Sequence, residues 1–185
     1  MTPVLRCILA ILAATLLGGA SAASAQGGNR YSVEVLVFAH PGGDAMQAEA
    51  WRADPGEPDT SRAAPVAAGG EVGALGPTAY RLSGAWQALR NSSGYRPLRH
   101  LAWTQAGYSE ARAPHVLVGD GPGSELHGVV QISRARFLHA KVDLVYQNAG
   151  QRYRFKARRR MRSNELHYLD HPLFGVLLIV TPLGG

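Results

Sequence analysis

The chain has 185 residues and a mass of 19.7 kDa, with 46% hydrophobic and 17% charged residues, which fits one folded domain with or without a tail and excludes wholesale disorder. A net charge of +6 and a pI near 9.9 favour acidic partners or surfaces. The single cysteine, Cys7, excludes a disulfide framework, a cysteine-based zinc site and a cysteine nucleophile anywhere else in the chain.

Residues 1–25 read as a cleaved export signal. Arg6 supplies the positive start, Cys7 to Leu17 is an apolar run too short to span a bilayer comfortably, and Ala23-Ser24-Ala25 fits the small-x-small cleavage pattern. The expectation is a periplasmic mature chain, 26–185, with no transmembrane span. It contains no cysteine, so packing and hydrogen bonds alone must hold it in an oxidising compartment.

Tyr31 to Phe38 alternates, with Tyr31, Val33, Val35 and Val37 on one face, and predicts a strand. Asp44 to Trp51 fits a short helix. Ala53 to Thr78, rich in Ala, Gly and Pro, has no hydrophobic period and reads as a long mobile loop. Leu82 to Leu89 predicts a short helix with Ser83 as N-cap and Leu82, Trp86 and Leu89 in one stripe. Strands follow at Leu98 to Gln105, Val116 to Val118, Leu126 to Ser133, Arg136 to Tyr146, Gln151 to Arg162 and Glu165 to Leu169. Turns are expected at Asn148-Ala149-Gly150 and Ser163-Asn164. Val176 to Thr181 is continuously apolar and predicts a strand buried on both faces. The fold class is α+β: an antiparallel β-meander sheet in a single domain, with one or two short helices packed on it and the long loop at 53–78.

Charge is uneven along the chain. Arg30 to Tyr80 holds seven acids and three bases, and Arg81 onward holds fifteen bases and six acids. The bases concentrate at Arg152, Arg154, Lys156, Arg158, Arg160 and Arg162, alternating with Tyr153, Phe155, Ala157, Arg159 and Met161. In a strand, alternate residues share a face, so one face carries a cationic stripe of ~34 Å at ~3.4 Å per residue. Face matching then requires Asp143 to sit beside Arg154 or Lys156. A hairpin at Ser163-Asn164 would set Arg162 opposite Glu165, Arg160 opposite His167, and Met161 toward Leu166 on the core side. Only His139, Asp143 and Glu165 stand out as local charge relief. Two readings stay open: a solvated outer face that resists edge aggregation, or a docking face for an acidic polymer or protein patch. On the second, Arg154, Lys156, Arg158, Arg160, Arg162 and His139 are the candidate ligand-binding residues, their forks suited to carboxylates.

The tail R-R-M-R-S-N-E-L-H-Y-L-D-H-P-L-F-G-V-L-L-I-V-T-P, Arg159 to Pro182, resembles the C-terminal signature of the CsiV family of periplasmic peptidoglycan-binding proteins. Its specific part comprises Glu165, His167, Tyr168, Asp170, His171, Pro172, Phe174 and Gly175. Y-S-V-E-V-L-V-F, L-R-H-L-A-W-T-Q and G-V-V-Q-I-S-R-A-R-F-L-H agree with it, so the resemblance covers about two thirds of the mature chain. It implies an envelope protein that binds peptidoglycan and supports a bifunctional penicillin-binding synthase through that enzyme's outer-membrane lipoprotein activator; no catalysis is expected, because no nucleophile–base pair or ligand cluster stands out in the sequence. Peptidoglycan offers carboxylates for the arginines and sugar faces for Tyr153, Tyr168 and Trp103.

Three alternatives draw on the same residues. His167, Asp170 and His171 suggest a metal-dependent hydrolase, but such motifs rely on helical spacing. Asp170 is expected instead to cap a turn near Pro172, with no metal and no cofactor. Ser133 or Ser163 with His139 and Asp143 makes a triad only on paper. The stripe would also suit nucleic acid or anionic lipids and other envelope polymers, although export argues against nucleic acid as a partner.

Overall fold

A computed structural model describes residues 29–40 and 50–184. The export signal and nearly all of the Asp44 to Trp51 helix expectation lie outside the described residues. Among the described residues, ten strands form two five-stranded sheets. They are β1 (Arg30–Ala39), β2 (Ala63–Ala64), β3 (Gly73–Ala74), β4 (Arg96–Ala106), β5 (His115–Gly119), β6 (Leu126–Arg134), β7 (Leu138–Asn148), β8 (Gln151–Met161), β9 (Leu166–His171) and β10 (Phe174–Leu183). Sheet A has the order β3-β4-β1-β10-β9 and sheet B the order β2-β5-β6-β7-β8. All pairs are antiparallel except β2–β5, which makes sheet B mixed.

The expected single meander is therefore corrected to two sheets. β5 to β8 form a sequential meander, and in sheet A β3–β4 and β9–β10 pair in sequence order on either side of β1. β1 lies between β4 and β10, its partners more than fifty residues away, which no local pattern announces. The inner faces meet in one core. Val33, Val35 and Val37 of β1, Trp103 of β4 and Val176, Leu178 and Val180 of β10 face Val116, Val130, Ile132, Val142 and Leu144 of sheet B. A polar bridge crosses it with every group satisfied: Trp103 Nε1 donates to Gln105 Oε1 (2.8 Å), and Gln105 Nε2 donates to the Ile132 carbonyl (2.9 Å).

Helix α1 (Ser83–Asn91) packs Leu82, Trp86 and Leu89 on the outer face of sheet A against Leu36, Phe38 and Ile179. Ser83 does not cap it. The buried carboxylate of Glu34, on β1, accepts from the backbone N–H groups of Arg81 (2.7 Å) and Leu82 (2.9 Å) and contacts His100 Nε2 (2.7 Å). Burial alone would raise the Glu34 pKa, but the hydrogen bonds from His100, Leu82 and Arg81 outweigh it and hold the carboxyl below its usual range.

The Ser163-Asn164 hairpin is also corrected. β8 is the edge of sheet B and β9 the edge of sheet A, so the chain changes sheets there. Asn164 takes a φ of 64° and its N–H donates to the Val180 carbonyl (2.8 Å). Leu166 consequently points to solvent and His167 is buried, the reverse of the expected faces. The Ala53 to Thr78 segment is not featureless. It holds β2, β3 and a 3₁₀ turn at Pro77–Ala79, and its first part lies against the outer face of sheet B.

Candidate ligand-binding site

The β7–β8 hairpin turns through Ala149 (φ 49°) and Gly150 (φ 81°), a two-residue connection of the type that fits strand twist. The turn fixes the register. His139 sits opposite Arg160, Lys141 opposite Arg158 and Asp143 opposite Lys156. Arg152, Arg154, Lys156, Arg158 and Arg160 share the outer face, as the alternation predicts. Tyr153 and Met161 are buried on the inner face, with Phe155 half-buried beside them.

The stripe divides in two. Its first half is tied down. Asp143 grips Arg154 with both oxygens (Nε–Oδ1 2.8 Å, Nη2–Oδ2 2.8 Å), and Arg154 also donates to the Pro55 carbonyl (3.3 Å). That fork is only 15% exposed, and its hydrogen bond to Asp143 raises the guanidinium's pKa against the opposing effect of burial. Arg152 pairs with Glu57 and lies 3.9 Å from Asp54. Glu57 also contacts the buried His127 (2.7 Å), and that hydrogen bond, followed by the charge of Arg152, holds its carboxyl below the ordinary value despite desolvation.

The second half stands in solvent. Lys156 is 65% exposed and 3.9 Å from Asp143, and Arg162, just past the strand, is 81% exposed with a long contact to Glu165 (3.4 Å). Arg158 meets Glu110 (2.7 Å), which also binds Lys141; this second contact is the larger cause of its lowered carboxyl pKa. Arg160 has no carboxylate partner among the described residues. Its guanidinium lies 4.8 Å above the exposed Phe137 ring, with Arg136 at 5.5 Å from the same ring. A cleft of about 650 Å³ opens beside the strand between Trp51, Pro55, Arg154 and Lys156.

The expectation that only His139, Asp143 and Glu165 relieve the stripe is thus corrected: Asp54, Glu57 and Glu110 do so from distant segments. For Asp54 and Glu57 the signal lies in the acid-rich Arg30 to Tyr80 region facing a base-rich remainder, whereas nothing local marks Glu110, and which acid meets which arginine depends on the fold. Phe137 was missed because one aromatic in a strand pattern carries no message. Of the rings proposed for sugar faces, Trp103 and Tyr153 are buried in the core and unavailable, whereas Tyr168 is 47% exposed.

The residues of the tail signature organise the sheet change. His167 Nε2 lies 3.2 Å from the Arg162 N–H and 3.3 Å from its carbonyl, bracing the crossing. His171 Nδ1 accepts from the Leu173 N–H (3.2 Å), so His171 caps the Pro172 turn, not Asp170 as expected. Asp170 points outward and accepts from the Tyr168 hydroxyl. Phe174 packs against Tyr146, Phe155 and His171 in the core. The hydrolase alternative fails on this geometry: His167 and His171 lie on the buried face of β9 and Asp170 on the other. The triad fails as well. Ser133 is opposite His139, but Asp143 lies ~14 Å further along the strand and gives both oxygens to Arg154. Among the described residues no three His, Cys, Asp or Glu side chains cluster as metal ligands, and no helix is long and apolar enough to cross a membrane.

A family model described as "Peptidoglycan-binding protein, CsiV" matches residues 6–183. The chain belongs to the CsiV family. The family is one of peptidoglycan-binding proteins, which points to an envelope location and to binding as the common property of CsiV chains. Comparison with curated proteins gives no match, and comparison with solved structures gives none.

Proposed function

We propose that this protein binds peptidoglycan in the periplasm, after loss of residues 1–25, and performs no chemical step on it. The exposed half of the β8 stripe, Lys156, Arg158, Arg160 and Arg162 with His139 alongside, grips carboxylates of the stem peptides. The observation that carries this reading is Arg160, a fork without a carboxylate partner among the described residues, set over an exposed ring and flanked by exposed cations. Ion pairs between exposed groups contribute little to stability, so Arg158 and Arg162 can exchange Glu110 and Glu165 for a ligand carboxylate. Arg154 cannot, because Asp143 occupies the Nε–Nη2 edge of its fork and the Pro55 carbonyl takes Nη1. Its part is to hold the strand in place.

The physiological role we propose is support of a bifunctional penicillin-binding synthase through its outer-membrane lipoprotein activator, and this rests on the family resemblance. Sedimentation with purified sacculi at ~0.15 M salt tests the binding itself, since merely cationic attachment between exposed groups is screened there. The protein is expected to pellet with the sacculi, and an Arg158→Ser, Arg160→Ser double variant to remain largely in the supernatant. Release of the unmodified protein by that salt, or equal pelleting of the variant, would contradict the reading. Capture of the synthase and the lipoprotein by a tagged copy tests the physiological role, and capture of neither would remove it.

A further inference from the structure

The outer face of sheet A carries a second surface with different chemistry. Helix α1 covers one end of that face. At the other end Tyr95 (48% exposed) and Tyr168 reach solvent around a buried Phe38. Phe38 and Tyr168 are nearly parallel (15°, centroids 6.1 Å apart), and Tyr95 stands across Phe38 at 76° (5.6 Å). The rings therefore form a corner, with Tyr95 as one wall.

Gly175 makes this arrangement possible. A Cβ there would lie 2.6 Å from Tyr168 Cε2 and 2.7 Å from Phe38 Cζ, so any other residue would push the rings apart. The Tyr168 hydroxyl is anchored on Asp170 Oδ1, and burial together with that hydrogen bond raises the phenol's pKa. Asp170 itself is 69% exposed, and its Oδ2 accepts from no group among the described residues. His40 Nε2 donates to the His171 carbonyl (2.9 Å) and stands across from Tyr95.

We propose that this corner is a neutral-sugar subsite that takes an N-acetylhexosamine ring of the glycan strand. This rests on the reading that the ligand is peptidoglycan. A pyranose presents a face of polarised C–H groups, which pack on the negative face of an aromatic ring, and equatorial hydroxyls that need acceptors. Tyr168 and Tyr95 supply faces, and Asp170 supplies the acceptor. The same carboxylate repels the acidic stem peptides, and Arg96, next to Tyr95, is engaged by Glu125. The corner thus selects the uncharged part of the polymer, whereas the stripe on sheet B selects the charged part. Because Gly175 and Asp170 already fix the Tyr168 ring, little ordering cost remains on binding.

The test is calorimetric titration of the protein with chitotetraose, an uncharged β-1,4-linked N-acetylglucosamine oligomer without peptide. Binding is expected to be insensitive to salt between about 0.05 and 0.3 M. It should weaken about tenfold in each of Tyr168→Leu and Tyr95→Ala, the ~1.4 kcal/mol of a stacked ring. Arg158→Ser plus Arg160→Ser should leave it unchanged. Tyr168→Leu keeps apolar bulk over Gly175, and Tyr95→Ala removes a half-exposed ring, so melting temperatures check that both variants are folded. A protein that pellets with sacculi yet ignores chitotetraose overturns the subsite alone. So does oligomer binding that both tyrosine variants retain, which would leave the aromatic corner to a protein partner. A protein that binds neither sacculi nor oligomer overturns both readings.

Discussion

Arg154 and Arg160 stand on one face of one strand, six positions apart, and meet opposite fates. Arg154 lies under the Pro55–Glu57 stretch with Nε and Nη2 on Asp143 and Nη1 on the Pro55 carbonyl, and Arg160 lies open over Phe137. Strand alternation explains why both point outward. It does not explain the difference, which comes from where the acids of distant segments land. Asp54 and Glu57 arrive from the segment before β2, and Glu110 from the stretch between β4 and β5. A run of like charges is thus two things at once: a clamp where carboxylates from elsewhere in the chain close over it, and a free surface where they do not.

The anchored half rests on a ring cluster in which Trp51 meets Tyr153 and His171, and Phe155 meets His171. The largest expected effect on the comparison comes from this support. Burial lowers the His171 pKa to about 4, His40 adds to the shift and Asp170 opposes it. The unfolded chain takes that proton near pH 6.5, so between about pH 6.5 and 4 it binds more protons than the folded chain. Stability therefore falls as pH drops through that window, by about 3 kcal/mol when complete. Denaturation in urea at pH 7 and pH 4.5 should show most of that loss, and His171→Gln should flatten the slope. Glu34 and Glu57, whose pKa values are lowered, add acid loss only below about pH 4.5, as each is protonated toward its folded-state value.

Asp143→Asn should come next. It leaves a mostly buried guanidinium with half its partner and is expected to cost about 2 kcal/mol, lowering the melting temperature by roughly 4–8 °C. Sacculus binding should survive in the folded protein. Glu110→Gln, in the open half, is expected to leave the melting temperature almost where it was, because Glu110, Arg158 and Lys141 are all well exposed. It should leave sacculus binding intact or strengthen it by freeing two cations. A larger stability loss for Glu110→Gln than for Asp143→Asn, measured by thermal denaturation, would break the division of the stripe.

Much of this fold is readable in the sequence wherever a pattern is local. The alternation in Tyr31 to Phe38 and in Arg152 to Met161 assigns faces that the structure keeps, and the Asn148 to Gly150 turn gives the β7–β8 register that puts Asp143 beside Arg154 and Lys156. What is not readable depends on contacts distant in sequence. A turn at Ser163-Asn164 looks the same whether it closes a hairpin or hands the chain to another sheet. The burial of His167 and exposure of Leu166 follow from the second outcome alone. The Glu34 cap on α1 is invisible for the same reason, since Ser83 satisfies the local rule and the true acceptor lies on β1. Of the candidate site residues, the stripe stands where side-chain alternation puts it, whereas Tyr168 reaches solvent only because the change of sheet reverses the expected faces of β9. Trp103 and Tyr153 do not serve, because a ring suited to a sugar face is equally suited to a core.

The most direct measurement of the central claim compares two variants side by side, Arg158→Ser plus Arg160→Ser and Asp143→Asn, for melting temperature and for sacculus affinity at ~0.15 M salt. The open half should respond in binding with its melting temperature nearly unchanged, and the anchored half in melting temperature with its binding nearly unchanged. If the arginine double variant keeps full sacculus affinity, or loses it only in proportion to a loss of folded protein, the stripe is a solvated sheet face and not the site that holds peptidoglycan.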